Sequence, residues 1–218
     1  MIIKQAFQDL YPTKILNKEV SIKYSGKFKP YNANVHITPT KLTFNLSKEW
    51  KQVDNQIKTG LIQHLLMKIY GKKKNTTNID LYSLFIKKLP SVTPKIHSHP
   101  ILDDSFDRVN ERYFFNIIEK PNLKFGSNSF SQLGSYEYQT DTITISSIFK
   151  ENPKLLDYVM YHEMLHKKHS FKSKKGRSYY HTSDFRKDEK LFENSDNIEK
   201  ELKKFISKSR RKLRFGFF

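Results

Sequence analysis

The 218-residue chain contains no cysteine. That excludes disulfides, a thiol nucleophile and a zinc ribbon built on cysteine pairs. It also lacks any long apolar run. The opening segment, MIIKQAFQDLYPTKIL, has neither a signal-like apolar core nor the roughly 20 apolar residues that span a bilayer. A cytoplasmic protein with no membrane partner is the expectation. Acidic groups are scarce in two regions. Residues 1–99 carry 17 basic and 5 acidic side chains and residues 199–218 carry 8 and 2, whereas residues 100–198 carry 15 of each. The formal charge of +18 therefore sits in the N-terminal half and the C-terminal tail. Such a field attracts polyanions, chiefly nucleic acid or an anionic membrane. Lysines also simply solvate surfaces, and lysine alone reads no base sequence.

Aromatic residues are plentiful, with 17 Phe and 12 Tyr. The chain is thus globular rather than disordered, and long enough for one large domain or two small ones. Residues 20–48 read as β-structure, with Leu42, Phe44 and Leu46 alternating as a half-buried strand requires. Val53, Ile57, Leu61, Leu65 and Ile69 follow at four-residue spacing, which predicts a helix. A polar break at 70–78 and a short helix at 79–89 come next. The proline-rich segment PSVTPKIHSHP, 90–100, reads as a linker, and its His-Ser-His as part of a plain loop. Beyond it, 102–120 predicts a helix with Phe106, Val109, Tyr113, Phe114, Ile117 and Ile118 on one face and acids in its first turn. Residues 133–147 predict a turn and a strand around Ile143 and Ile145. Asn152 then caps a helix that starts at Pro153 and runs to about Lys168. Ser183 is a cap candidate for another helix, and 196–212 forms the last, with Ile198, Leu202, Phe205 and Ile206 on one side.

The helix from Pro153 is apolar nearly all round, so His162, Glu163 and His166 are polar groups inside a buried element and need partners. They spell His-Glu-x-x-His. Residues four apart lie on one helical face, so the two imidazoles can share a Zn²⁺ ion, while Glu163, about 100° round the helix, flanks it as a proton acceptor. A catalytic zinc needs a third protein ligand. His169 lies about 10 Å along the axis from His162, too far to share one ion. His181 precedes a helix start and is free to fold back. Glu189 and Glu193 are the alternatives of a glutamate-ligand site.

The segments FDRVNERYF, LGSYEYQTDTITIS, LDYVMYHEMLHKKHS and HTSDF together resemble the SprT/Spartan-type zinc metalloproteases over about residues 102–190. The resemblance implies an α+β, zincin-like catalytic domain at 101–195, with a small antiparallel or mixed sheet and an active-site helix. A smaller basic α+β unit, 1–95, would precede it, and a basic helix and tail, 196–218, would follow. It implies zinc on His162, His166 and His181, with Glu163 as general base. The implied activity is endopeptidase cleavage of proteins bound or crosslinked to DNA, in a nucleoid-associated or nuclear setting. Thr182 stands where the family usually has glycine, no cysteine ribbon follows, and residues 1–100 match no family pattern. The rival readings are a zincin without DNA dependence and a non-enzymatic nucleic-acid-binding protein with structural zinc.

Lys167, Lys168, Lys172, Lys174, Lys175 and Arg177 form an acid-free segment between the ligands. It reads equally as a DNA-facing rim or as a solvated loop. In the tail, Arg210 and Arg211 lie among phenylalanines, a composition that suits single-stranded DNA, with Phe205 better explained by helix packing and Phe215 and Phe217 open. Tyr179 and Tyr180 are candidates for stabilising an oxyanion. The N-terminal half has a strand-then-helix order like that of the second half. By spacing, Gln63 and Met67 would fall where His162 and His166 fall, through either a decayed repeat or coincidence.

Overall fold

The structure, a computed structural model, describes residues 2–71, 74–169 and 181–215, with two short strands at 173–174 and 177–178; the side chains of those strands and of 212–215 lie outside the described set. The chain divides into two compact units, residues 1–92 with 173–178, and residues 93–172 with 179–218. Both are α+β, each built on a three-stranded mixed sheet.

The first unit runs α1 (Ile2–Leu10), β1 (Glu19–Ser25), β2 (Ala33–Ile37), β3 (Lys41–Ser47), a 3-10 turn at Lys48–Lys51, α2 (Asn55–Tyr70) and α3 (Thr77–Val92). Its sheet order is β1-β3-β2, with β1 parallel and β2 antiparallel to the central strand. The alternation of Leu42, Phe44 and Leu46 buries all three, as their spacing predicts. Asp54 caps α2 by accepting from the Gln56 N–H at 2.7 Å. Gly60 lets α3 approach closely, since a Cβ there would lie 1.9 Å from the Asn78 carbonyl oxygen. The buried Gln63 donates to Asp9 and accepts from Thr76, tying α1 and the start of α3 to α2.

The second unit runs α4 (Pro100–Phe114), β4 (Asn122–Gly126), β5 (Gly134–Glu137), β6 (Thr142–Ser146), a 3-10 turn at Ser147–Phe149, α5 (Pro153–His169), α6 (Ser183–Glu189) and α7 (Ser195–Phe215). Its sheet order is β4-β6-β5, with β4 parallel and β5 antiparallel to β6. The helix expected over 102–120 stops at Phe114. Phe115 and Asn116 both turn left-handed, and the Asn110 side chain binds the N–H and the carbonyl of Ile118 beyond them. Ile117 is consequently exposed. Asn152 caps α5 by accepting from the Leu155 N–H at 3.2 Å. Thr182, rather than Ser183, is the N-cap of α6. Ile198 of α7 is buried in this unit's core, with Leu202 and Phe205 against it. The strands at Ser173–Lys174 and Arg177–Ser178, β7 and β8, pair with each other. Among the described residues no helix is long and apolar enough to cross a membrane.

Candidate metal centre

Helix α5 is the centre of the second unit. Leu155, Leu156, Val159, Met160, Met164 and Leu165 are buried around it. The charged groups of α5 are therefore held in place from several sides. Arg108 of α4 grips Asp157 through Nε at 3.0 Å and Nη2 at 2.7 Å, and the Ser105 hydroxyl donates to the same carboxylate. At the other end Lys167 donates to both oxygens of Asp141, a fully buried residue at the corner between β5 and β6. The Tyr136 hydroxyl and Lys95 complete that cluster. These contacts fix the register of α5 against the sheet.

His162 and His166 stand one turn apart, with ring centres 5.0 Å from each other. His181, at the entrance to α6, brings its ring to 5.3 Å from His162 and 4.9 Å from His166. One nitrogen of each lies within 4.8 Å of the others, and the set could hold a metal ion. The Nε2 atoms of His162 and His181 are 3.4 Å apart. Two nitrogens bound at about 2.1 Å to one tetrahedral ion stand roughly 3.4 Å apart, so the spacing fits zinc. The donors fit as well, since burial pulls His166 down to about 4 and lowers His181, which keeps both imidazoles neutral. Phe185, fully buried, packs its ring against His162, His166 and His181 at 4.7–5.2 Å and forms the floor of the cluster.

The position of His181 follows from local chemistry. The Thr182 hydroxyl accepts from the Phe185 N–H at 3.3 Å, which starts α6 immediately after the histidine. Thr182 has φ of −73°, so the turn needs no glycine there. The far end of α6 is tied to α5. The Tyr161 hydroxyl donates to the Asp188 carbonyl, Lys168 bonds the Asp188 carboxylate at 2.8 Å and His169 at 2.9 Å.

Glu163 is 5 % exposed. Burial pushes its carboxyl up to about 7, against the opposing pull of His162 and of the Tyr136 backbone N–H. It also lies against Gly134 of the edge strand β5, where a Cβ would come within 2.5 Å of Glu163 Oε1. Gly134 and Tyr136 escaped the site reading of the sequence. The only signal was the segment LGSYEY, whose role there was resemblance alone.

The remaining sequence candidates fall elsewhere. His169 is engaged with Asp188. Glu193 binds Arg112 at 2.6 Å. Glu189 reaches His162, but through Nδ1, at 2.7 Å. Lys167, only 12 % exposed, is committed to Asp141, so it is not an open phosphate contact, and Lys168 is paired with Asp188. Lys172, Lys175, Tyr179, Tyr180 and Phe217 lie outside the described residues, as do the side chains of Lys174, Arg177 and Phe215. Arg210 donates to the Phe130 carbonyl at 2.7 Å, and Arg211 is exposed.

No known family model and no curated protein sequence matches the chain. Among solved structures, it is similar to the metallopeptidase zymogen jannalysin of Methanocaldococcus jannaschii. Identity is 22 % and the TM-score 0.36, over 47 % of this chain and 94 % of that one. A likeness that loose carries no argument about the present chain.

Proposed function

We propose that the second unit is a zinc-dependent endopeptidase of the SprT-like, zincin type. The observation that carries this reading is the meeting of three histidine nitrogens beside the helix-borne, buried carboxylate of Glu163. A closed structural zinc site takes four protein ligands, whereas a catalytic one takes three and leaves a position open. Among the described residues three donors converge. Zinc held by His162, His166 and His181 would supply Lewis acidity toward a peptide carbonyl and toward water. Glu163 accepts the proton of the attacking water and passes it to the leaving amine. Contact with Gly134 and the Tyr136 N–H keeps that carboxylate aimed, so its proton transfers need no rearrangement.

The test is Glu163→Gln, which keeps shape and removes the base. Zinc content should match that of the parent, and cleavage of unfolded casein should fall by about 10²- to 10⁴-fold. Retained cleavage overturns the mechanism.

The reading extends to substrates bound to DNA. Its support is the segregation of charge, 17 basic against 5 acidic groups over residues 1–99. Single-stranded DNA should accelerate cleavage, and the acceleration should fade between about 50 and 200 mM salt. Indifference to DNA removes this extension and leaves the protease.

A further inference from the structure

Resting on the zinc reading above, we infer that Glu189 is a positioning residue that fixes the tautomer and aim of His162. An imidazole binds a metal through a nitrogen that carries no proton, so one nitrogen must hold the hydrogen and the other must face the ion. His162 divides its nitrogens in that way. Its Nε2 faces His181 Nε2 at 3.4 Å, and its Nδ1 faces Glu189 Oε1 at 2.7 Å. An ionised carboxylate only accepts hydrogen bonds, so Nδ1 carries the proton and the Nε2 lone pair is left toward the cluster. Carboxylates in this relation to a metal-bound histidine raise the basicity of the ligand and restrict its rotation.

The same geometry separates Glu189 from the ligands. It meets the Nδ1 edge of the His162 ring, whereas Nε2 faces His181, and the described metal-binding group contains no carboxylate. Nor is Glu189 needed to hold α6 in place. The Tyr161 hydroxyl grips the Asp188 carbonyl, and Lys168 and His169 grip the Asp188 side chain. Removing the Glu189 carboxylate therefore alters the histidine and leaves the helix anchored.

The experiment compares the full-length parent with Glu189→Ala, Glu189→Gln and His181→Ala. Zinc affinity is measured by competition with a chromophoric chelator. A cobalt-loaded sample of each variant is examined by proton NMR for the shifted, exchangeable imidazole N–H signals. Glu189→Ala should weaken zinc about 10- to 100-fold and abolish one N–H signal through fast exchange. Glu189→Gln, whose amide oxygen still accepts from Nδ1, should restore that signal and hold affinity within a few-fold of the parent. A merely structural role would not be rescued in the N–H spectrum by glutamine. Unchanged affinity and an intact signal in Glu189→Ala overturn the inference while the metal site stands. Loss of zinc in both Glu189 variants, with zinc kept in His181→Ala, makes Glu189 a ligand and also overturns it. A parent chain that binds no zinc sinks the metal reading itself, which a parent titration reveals before any variant is compared.

Discussion

Gly134 has no side chain because Glu163 occupies the space. A Cβ there would sit 2.5 Å from Oε1, 2.9 Å from Cγ and 3.0 Å from Cδ of that glutamate. Glu163 is buried and held by a backbone N–H, so it cannot swing aside cheaply. Gly134→Ala should therefore displace the carboxylate while leaving the three histidines in place. Small misplacements of a catalytic group cost up to about 10²-fold in rate. The expected outcome is a kcat/KM reduced by roughly that factor with unchanged zinc content, read by steady-state cleavage and metal analysis. Normal kinetics in this variant would show that Glu163 is not held as described. Here the sequence was legible in part. His162, Glu163 and His166 announce themselves by spacing, because one helix carries all three. Gly134 does not, and Glu189 stood out only as an alternative ligand rather than as a partner of His162, because each acts across a contact between elements distant in the chain.

Between elements, the decisive join is that of α6 to α5. Asp188 is drawn below the ordinary aspartate range: burial alone would raise it, but the hydrogen bonds and charges of Lys168 and His169 outweigh that. A depressed folded-state pKa means that the ionised form stabilises the fold. The contribution is full above the unfolded value, about 3.9, and disappears as the pH falls through the lower folded value. Asp188→Asn should thus melt below the parent at neutral pH, with the gap closing below about pH 4. Thermal scans of both metal-free proteins across this range provide the check, and a gap constant with pH would sink the assignment. Helices α2, α5 and α7 were legible because their apolar spacing or caps are local. α1, β4 and β5 were not. β5 is four half-buried residues, β4 is five residues of mixed burial, and strands so short are defined by pairing with β6 rather than by a pattern of their own. Ile117 and Ile118 extended the apparent period of α4 past its end, where Asn110 and two left-handed residues stop the helix.

On the scale of the whole molecule, one arrangement is built twice. Each unit runs helix, three strands, 3-10 turn, helix, the second with an extra 3-10 turn at Tyr138–Thr140 between β5 and β6, and each sheet has its third strand in the centre, the first parallel to it and the second antiparallel. A buried aromatic, Trp50 or Phe149, closes each 3-10 segment, and an Asp or Asn caps each following helix. Spacing in the sequence alone puts Gln63 and Met67 opposite His162 and His166. Counting from the caps Asp54 and Asn152 shifts that match by one residue: His64 and His162 are the tenth positions of their helices, Leu65 falls opposite Glu163, and Lys68 opposite His166. Gln63 is instead a tie between helices. Only one of the three motif residues thus has a like counterpart. His64 packs on Tyr82 at 5.5 Å, and burial, with Lys68 nearby, pulls it down to about 4, which is the behaviour of a neutral packing group. Among the described residues, the first unit therefore has the scaffold without the donors. The chain should bind a single zinc ion, and His64→Ala should lower the thermal midpoint while leaving zinc stoichiometry and proteolysis unchanged, whereas His162→Ala should remove both. Metal analysis of the two variants decides it. A second equivalent of zinc in the parent, lost with His64, would mean that the first unit holds a metal site as well.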